Sequence, residues 1–298
     1  YTSVHAGTMH ACGHDGHTAM LLGAARMLAQ RRQFNGTLNL IFQPAEEYGT
    51  ADSGAARMLD DGLFERFPCD AVFAMHNMPS MPQGHLVFRE GPMMASSDKV
   101  LITLRGIGGH GAMPHGTADP VVAASSVVMA LQTVVSRNVD PRQTAVVTVG
   151  VLSAGTANNV IPDSAYLELS VRALQPEVRA LLQSRIQDLV HAQAQSLGCT
   201  AHIDYQSGYP ALVNTLAETQ LARDVAVALV GQERVVIQGP ALTGSEDFAF
   251  MLQQRPGSYL LIGNGDGDDA GACMVHNPGY DFNDANLSLG AAYWTHLV

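Results

Sequence analysis

The sequence predicts an α/β fold whose main domain is discontinuous, because a ferredoxin-like βαββαβ domain is inserted into it. Two observations predict this. Helix-like and strand-like segments alternate along residues 1–96 and again along 208–298, whereas the segments within 97–207 follow the order βαββαβ. That order is typical of a self-sufficient two-layer unit, with one antiparallel sheet and both helices on one face. We therefore expect a main domain of 1–96 and 208–298 and an insert of 97–207.

The first helix is predicted over residues 18–32, where apolar side chains recur at helical spacing until an Asn-Gly pair breaks the pattern. Residues 37–42 are apolar and rich in β-formers, so they are predicted to form a buried strand. Glu46 and Glu47 follow at the carboxyl end of this strand.

A second helix is predicted over 55–61, and a second buried strand over 70–75 leads directly into His76. Ligand sites in α/β sheets gather at the carboxyl ends of strands. We therefore expect His76 to lie at the same rim as Glu46 and Glu47.

The remaining elements follow from the same patterns. In the insert we expect strands over 99–105, 144–152, 165–172 and 200–205, and helices over 119–137 and 176–197. After residue 210 we expect helices over 215–230, from near 245, and over 284–297, and a strand over 258–262. The outer halves are predicted to share one sheet, and the Gly- and Asp-rich residues 263–271 to form a mobile, solvent-facing loop.

Composition narrows the class of partner. Of the 298 residues 47% are hydrophobic, which is enough for sizeable cores, and 16 basic against 27 acidic residues give a net charge of −11. A net negative charge argues against binding to nucleic acid or to an anionic membrane and favours a small molecule. The sequence shows no apolar run of bilayer length and no secretory signal, so the default expectation is a cytoplasmic protein.

Three histidines and a cysteine lie within eight residues, at His10, Cys12, His14 and His17. Such a cluster favours a metal site over a chance polar patch, and Gly13 permits a tight turn that points Cys12 and His14 to one place. Spacing alone does not choose the ligands. The other three cysteines are scattered and predict ordinary thiols rather than a disulfide framework.

The other polar candidates are weaker individually. Glu46 and Glu47 could divide their roles, one holding a metal and the other moving a proton, or they could be an acidic surface turn. His76 and His276 could be ligands, but single histidines are more often surface or satisfied core residues. Glycines around His110 suggest close approach by another group, although a plain hairpin turn explains them equally well.

Six strings of the sequence, in this order, resemble bacterial hippurate hydrolases, N-acyl-amino-acid amidohydrolases and plant auxin-conjugate hydrolases. The resemblance covers essentially the whole chain. The strings are Met-His-Ala-Cys-Gly-His-Asp-Gly-His (9–17), Phe-Gln-Pro-Ala-Glu-Glu (42–47), Gly-Gly-His-Gly-Ala-Met-Pro-His (108–115), Asn-Val-Ile-Pro-Asp (159–163), Gly-Ser-Glu-Asp-Phe (244–248) and His-Asn-Pro (276–278).

The resemblance implies a di-metal, exopeptidase-like catalytic domain with Glu46 as general base. The implied ligands of the two divalent ions are Cys12, His14, Glu47, His76 and His276. A set of sulfur, imidazole and carboxylate donors suits zinc, manganese, cobalt or nickel better than magnesium or calcium. His10 and His17 are then expected to support the turn and the start of the helix rather than to bind metal.

For the insert, the resemblance implies a lid that also forms a homodimer. His110 would reach the partner subunit's active site and stabilise the tetrahedral oxyanion, and Asn159 and Arg172 would grip the carboxylate of the substrate. Family members begin with a segment that bears an Arg-Ala-Asp motif near the metals and that is not found in this sequence. We therefore expect a fragment or processed form, of reduced stability or activity.

The resulting hypothesis is metal-dependent hydrolysis of N-acyl amino acids, with no protein nucleophile. A dipeptidase or carboxypeptidase of the same superfamily is the nearest alternative. A truncated, non-catalytic module for metal binding or dimerisation is the alternative from another class. A zinc nucleoside deaminase is set aside, because its Pro-Cys-x-x-Cys signature does not occur in the sequence.

Overall fold

The computed structural model describes residues 3, 5–269 and 271–298. The helices are α1 (His14–Gln30), α2 (Gly54–Asp60), α3 (Leu63–Arg66), α4 (Pro120–Asn138), α5 (Pro176–Ser196), α6 (Leu216–Val230), α7 (Phe248–Gln254) and α8 (Ala285–Leu297). The strands are β1 (Val72–Pro79), β2 (Leu86–Val87), β3 (Gly91–Met94), β4 (Asp98–Arg105), β5 (Gly109–His110), β6 (Ala145–Ala154), β7 (Val160–Ile161), β8 (Ser164–Ala173), β9 (Thr200–Ser207), β10 (Leu212–Asn214), β11 (Val235–Val236) and β12 (Gly257–Gly265).

The two outer parts of the chain share one four-stranded sheet, as the sequence predicts. Its order is β1-β12-β2-β11, with β12 parallel to β1 and antiparallel to β2. Every residue of β12 is buried, which is expected of an inner strand covered on both faces. Successive side chains of a strand point to opposite faces, so β12 contributes to two cores.

The two faces of this sheet are covered by different helices. Leu260 and Ile262 of β12 belong to a cluster with residues of α1, α6 and α8, including Met20 and Tyr293. Tyr259 and Leu261, which alternate with them, belong to a second cluster with residues of α2, α3 and α7. The result is a helix-sheet-helix sandwich that holds the carboxyl end of β1 in a fixed place.

The predicted insert has its own sheet and its own core. The sheet is antiparallel with the order β6-β8-β4-β9, which is the strand order of a ferredoxin-like βαββαβ unit. Val100 and Ile102 on one face of β4 are fully buried beneath α4 and α5. The opposite face is more polar and carries the ion pair of Lys99 with Glu168, 3.2 Å apart.

The chain passes between these two sheets at two neighbouring points. On the outward crossing, the Ser96 hydroxyl donates to the carbonyl of Ala173 (3.1 Å). On the return, the amide of Gly208 donates to the carbonyl of Ser97 (3.0 Å) and to the carboxylate of Asp98 (3.1 Å). The two crossing segments are therefore hydrogen-bonded to each other.

For the first part of the chain, one predicted helix is found with a different start and one predicted strand is wrong. The first helix begins at His14 rather than near residue 18, and ends at Gln30, because Gly13 adopts a left-handed conformation and lets the helix start beside the polar cluster. Residues 37–42 pair with no strand among the described residues. Every second side chain of that stretch is 36–43% exposed, at Leu38, Leu40 and Phe42, so the alternation belongs to a surface segment.

The predicted solvent-facing loop of residues 263–271 is also wrong in its first three residues. Gly263, Asn264 and Gly265 continue β12 and are buried. The Asn264 amide nitrogen donates to the carbonyls of Gly271 and Asp281, both at 2.9 Å. Position 270 lies outside the described residues. The asparagine thus ties the turn back to the strand instead of facing water.

One helix bears on the expectation that no apolar run has bilayer length. Among the described residues, α4 alone is long and apolar enough to pass a test of length and composition. Core helices of water-soluble domains pass the same test, and α4 lies over the sheet of the insert with Val127 and Leu131 fully buried.

Candidate active site

Cys12 is presented by a turn that depends on Gly13. The φ angle of Gly13 is 89°, and an added Cβ would overlap the side-chain nitrogen of Asn77 and the hydroxyl of Tyr280. The same asparagine nitrogen donates to the carbonyl of Cys12 (2.6 Å), and the Tyr280 hydroxyl donates to the Asn77 oxygen (2.8 Å). Asn77 is fully buried, so this network fixes the turn.

His17 supports this network. Its Nε2 accepts from the backbone amide of Asn77 (2.9 Å), and burial together with two neighbouring imidazoles lowers the pKa of His17 well below its usual value. A neutral ring is the form that can accept this bond. His10, in contrast, is exposed. The supporting role predicted for His17 thus has a structural partner in Asn77.

His76 lies on β1 directly opposite the cysteine turn, with Nε2 3.3 Å from the Cys12 sulfur. Its Nδ1 is 2.5 Å from the carbonyl of Asn77. A carbonyl oxygen can only accept, so Nδ1 carries the proton and the Nε2 lone pair faces Cys12. Burial lowers the pKa of His76 to about 4, which keeps the ring neutral, as metal binding requires.

Glu46 and Glu47 lie on a single 3-10 turn, Glu46–Tyr48, at the same rim. A Glu47 oxygen is 3.0 Å from Nε2 of His276, and a Glu46 oxygen is 3.9 Å from Nε2 of His14. His276 is held near by its backbone amide, which donates to the carbonyl of Ala11 (2.6 Å). Adjacent glutamates therefore face different partners.

The five residues predicted as ligands converge in two groups that share Cys12. One group is Cys12, His14 and His76, and the other is Cys12, Glu47 and His276; within each, the candidate ligand atoms all lie within 4.8 Å of one another. Burial, and next the charge of Glu47, raise the pKa of the Cys12 thiol. A thiolate there needs a nearby cation. Sulfur, imidazole and carboxylate donors in two such groups fit two divalent ions.

Glu246 and Asp247 are buried beside Glu46, and local residue patterns predict no role for them. One oxygen of each of the three carboxylates lies within 4.8 Å of an oxygen of each of the other two. Glu246 accepts from the Tyr259 hydroxyl (2.9 Å), whereas Asp247 accepts from the side chain of Gln43 (2.6 Å). Burial, and next the charge of Glu246, raise the pKa of Glu46 to about 9. The string 244–248 is part of the family resemblance, but the sequence did not show that this segment lies beside Glu46.

His110 and Asn159 lie together, but in the insert. They belong to the β5–β7 region, where the Gly111 amide donates to the carbonyl of Asn159 (2.8 Å). The Ala112 amide donates to Nδ1 of His110 (3.0 Å), which leaves the proton of the neutral ring on Nε2. Among the described residues, no hydrogen bond or ion pair joins His110 or the Asn159 side chain to the two donor groups.

Arg172 lies where the insert meets the main domain. Its guanidinium donates to the carbonyl of Thr243 and to the hydroxyl of Ser245, both at 3.2 Å. Ser245 directly precedes Glu246. Arg172 is therefore hydrogen-bonded to the segment that carries Glu246 and Asp247. These two hydrogen bonds occupy some of the N–H groups of its guanidinium.

Comparison with known proteins places these residues in a family. The profile of the family described as Peptidase family M20/M25/M40 matches residues 1–298. A hippurate hydrolase from Campylobacter jejuni is 42% identical over 298 residues, which cover 100% of this chain and 76% of that protein. An N-acetyl-L-cysteine deacetylase from Bacillus subtilis is 39% identical over 297 residues, or 99% of this chain and 68% of that protein.

Solved structures show the same fold. An aminohydrolase structure from methicillin-resistant Staphylococcus aureus has a TM-score of 0.88 and 32% identity, and the match covers 99% of this chain and 75% of that one. A Bacillus subtilis protein described as a dinuclear metal binding peptidase from the M20 family has a TM-score of 0.82 and 32% identity, with 99% of this chain and 74% of that one covered.

Proposed function

The chain belongs to Peptidase family M20/M25/M40, and on that premise we propose that it hydrolyses the amide bond of N-acyl amino acids. One observation carries the proposal: Cys12 is common to two groups of metal-type donors, and Glu46 lies beside one of them. The names of the relatives support the substrate class, since they include a hippurate hydrolase, N-acetylcysteine deacetylases and an N-acetyldiaminopimelate deacetylase.

In this proposal two divalent ions are held by Cys12, His14, Glu47, His76 and His276. Bound there, they would acidify a water molecule and polarise the scissile carbonyl. The protein holds these donors ready for binding: burial lowers the pKa of His14 and of His76, which favours their neutral form, and Asn77 fixes both the cysteine turn and His17. Second partners of this kind orient ligands and raise metal affinity.

Glu46 is the proposed general base. It takes a proton from the attacking water and delivers it to the departing amine, so one carboxylate acts twice. Burial raises the pKa of Glu46, which makes its carboxylate a stronger proton acceptor and suits the first transfer, from water. Cations at the neighbouring donors would favour the carboxylate form that begins the reaction.

The insert is proposed to complete the site as a lid and dimerisation domain with the boundaries 97–207. His110 presents an Nε2 proton, which suits an oxyanion. Arg172 and Asn159 are proposed to bind the carboxylate of the substrate, because a guanidinium and a side-chain amide can both donate hydrogen bonds to carboxylate oxygens. A homodimer and a cytoplasmic location are further parts of the proposal.

The test is an assay of manganese- or zinc-loaded protein on hippurate and N-acetyl amino acids, with dipeptides in parallel. Glu46→Gln should lower kcat by roughly 100- to 10,000-fold with near-normal metal content, because it removes a proton acceptor that binds no metal. Glu177→Gln, at an exposed position of α5, is the control and should behave as wild type. Retained activity in Glu46→Gln would eliminate the proposed base. Turnover of dipeptides but of no acyl amino acid would favour a dipeptidase.

A further inference from the structure

The turn that carries Glu46 and Glu47 is preceded by Ala45, whose backbone conformation alanine does not favour. It is one 3-10 turn, Glu46–Tyr48, in which Glu46 is partly buried and the other two residues are exposed. Ala45 before it has a φ of 54° and Gly49 after it has a φ of 75°. Alanine seldom enters this left-handed region, because its Cβ crowds the following carbonyl. Contacts from outside the turn are therefore needed to hold its shape.

Tyr209 provides contacts at both ends of this turn. Its hydroxyl donates to the backbone carbonyl of Glu46 and accepts from the backbone amide of Gly49, at 2.7 Å in the second case. The tyrosine side chain is nearly inaccessible, with a relative exposure of 2%, and its ring meets that of Phe250 edge to face, with 6.0 Å between centroids. A ring confined in this way gives its hydroxyl little freedom to move.

Tyr209 also lies at the return crossing from the insert. Its carbonyl accepts from the amide of Ser97 (3.0 Å), and the preceding amide, of Gly208, donates to the carbonyl of Ser97 (3.0 Å). A Cβ on Gly208 would overlap that same carbonyl, so the two crossing segments are in closest contact here. The ring therefore projects from a fixed junction toward the turn.

We propose that Tyr209 is a positioning residue for Glu46, because its hydroxyl ties both ends of the turn and so sets the base carboxylate against the donors around Cys12. The inference rests on the proposed function of the same site. A buried hydroxyl that merely filled space would contribute to stability alone. A hydroxyl that aims the base contributes to kcat, since a misplacement of about 1 Å can cost on the order of 100-fold in rate.

Tyr209→Phe tests this, because it removes the hydroxyl and keeps the ring. We expect kcat on an N-acyl amino acid to fall roughly 10- to 100-fold, with KM and metal content little changed. The matched control is Tyr293→Phe. Tyr293 is fully buried, and its hydroxyl also donates to a backbone carbonyl, that of Ala222 (3.0 Å), in the contact between α6 and α8. Its loss should lower the melting temperature without changing kcat.

Hydrogen exchange at the amide of Gly49 gives a readout that does not depend on activity. Exchange should be faster in Tyr209→Phe than in wild type and unchanged in Tyr293→Phe. An unchanged kcat, an equal fall of kcat in both variants, or a loss of metal in Tyr209→Phe would overturn the positioning role. If the wild type hydrolyses no acyl amino acid, the proposed function fails, and unchanged exchange at Gly49 would then overturn the contact separately.

Discussion

Gly13 is the residue on which the placement of Cys12 most depends. Its left-handed φ of 89° is one that glycine adopts without strain, and its hydrogen faces the Asn77 amide and the Tyr280 hydroxyl at close range. Those two side chains belong to the network that binds the Cys12 carbonyl. A larger residue would thus disturb both the turn and the groups that support it.

We expect Gly13→Ala to lose most bound metal and, with it, hydrolysis. The backbone strain alone should cost about 1–3 kcal/mol of stability, and displacement of Asn77 should weaken metal binding further. Gly7→Ala is the matched control, because Gly7 has a similar φ of 78° but nothing within 4 Å of an added Cβ. Metal per chain by elemental analysis, with thermal unfolding, measures the difference. A full metal complement in Gly13→Ala would contradict the expectation.

Sequence spacing could find the histidine cluster but could not show which of its histidines bind metal and which support the turn. His14 and His17 both lie on the first turn of α1, three residues apart, so they share a helix face. What separates them is Asn77, 60 residues later, whose backbone amide bonds the Nε2 of His17 and leaves His14 toward Glu46. The family resemblance supplied a ranking that local residue patterns could not.

The elements that the sequence predicted well are those with a long apolar face. The two helices and the four long strands of the insert agree with prediction to within a few residues, because α4, α5, β4 and β8 bury regular stripes. Two-residue strands such as β2 and β11 were missed, because two residues are too few to show an alternating hydrophobic pattern. They are strands only because they hydrogen-bond to neighbouring strands. The stretch 37–42 shows the converse: it has a strand-like alternation and no partner among the described residues.

The junction between the insert and the main sheet offers a test at the scale of elements. The Asp98 side chain is fully buried, and it accepts from Arg179 (2.5 and 3.0 Å), from the Tyr205 hydroxyl (2.9 Å) and from the amide of Gly208 (3.1 Å). These groups join β4, α5, β9 and the return crossing. A carboxylate with this many donors holds four segments together.

Asp98→Asn should lower the melting temperature by several degrees, because it leaves the Arg179 charge without its partner and places an amide hydrogen against a donor. Loss of one member of a buried ion pair typically lowers the free energy of unfolding by about 3–5 kcal/mol. Because asparagine keeps the shape of aspartate, we expect a loss near the lower figure. Asp140→Asn is the control. Asp140 also pairs with an arginine, Arg142, at 2.6 Å, but on the surface, so its melting temperature should hardly change. Equal shifts would show that burial of the first pair is unimportant.

At the scale of the molecule, the order of elements was enough to predict two sheets with separate cores. All members of one buried cluster lie between residues 100 and 199, and the clusters of the other sheet lie outside that range. Hydrophobic pattern reveals such a division because each core must be covered by its own helices. It does not reveal how the insert is joined to the main domain, where the contacts of Arg172 and Tyr209 lie.

The position of His110 leads to the final prediction. It is exposed on the insert, and in the described part of the chain no hydrogen bond or ion pair joins it to the donors around Cys12. If His110 acts on the site of a partner subunit, a dimer needs Cys12 from one subunit and His110 from the other for one complete site. An inactive His110→Ala protein and an inactive Cys12→Ala protein should then complement each other.

After subunit exchange of an equal mixture, activity should recover to about one quarter of wild type, because half of the dimers are mixed and each mixed dimer has one complete site. A mixture of Glu46→Gln with Cys12→Ala is the control. Glu46 and Cys12 belong to the site of a single subunit, so each mixed dimer contains two damaged sites and should remain inactive. Activity is measured before and after exchange, with dimer content followed by light scattering. If the first mixture stays as inactive as the control while mixed dimers form, His110 does not act across the interface.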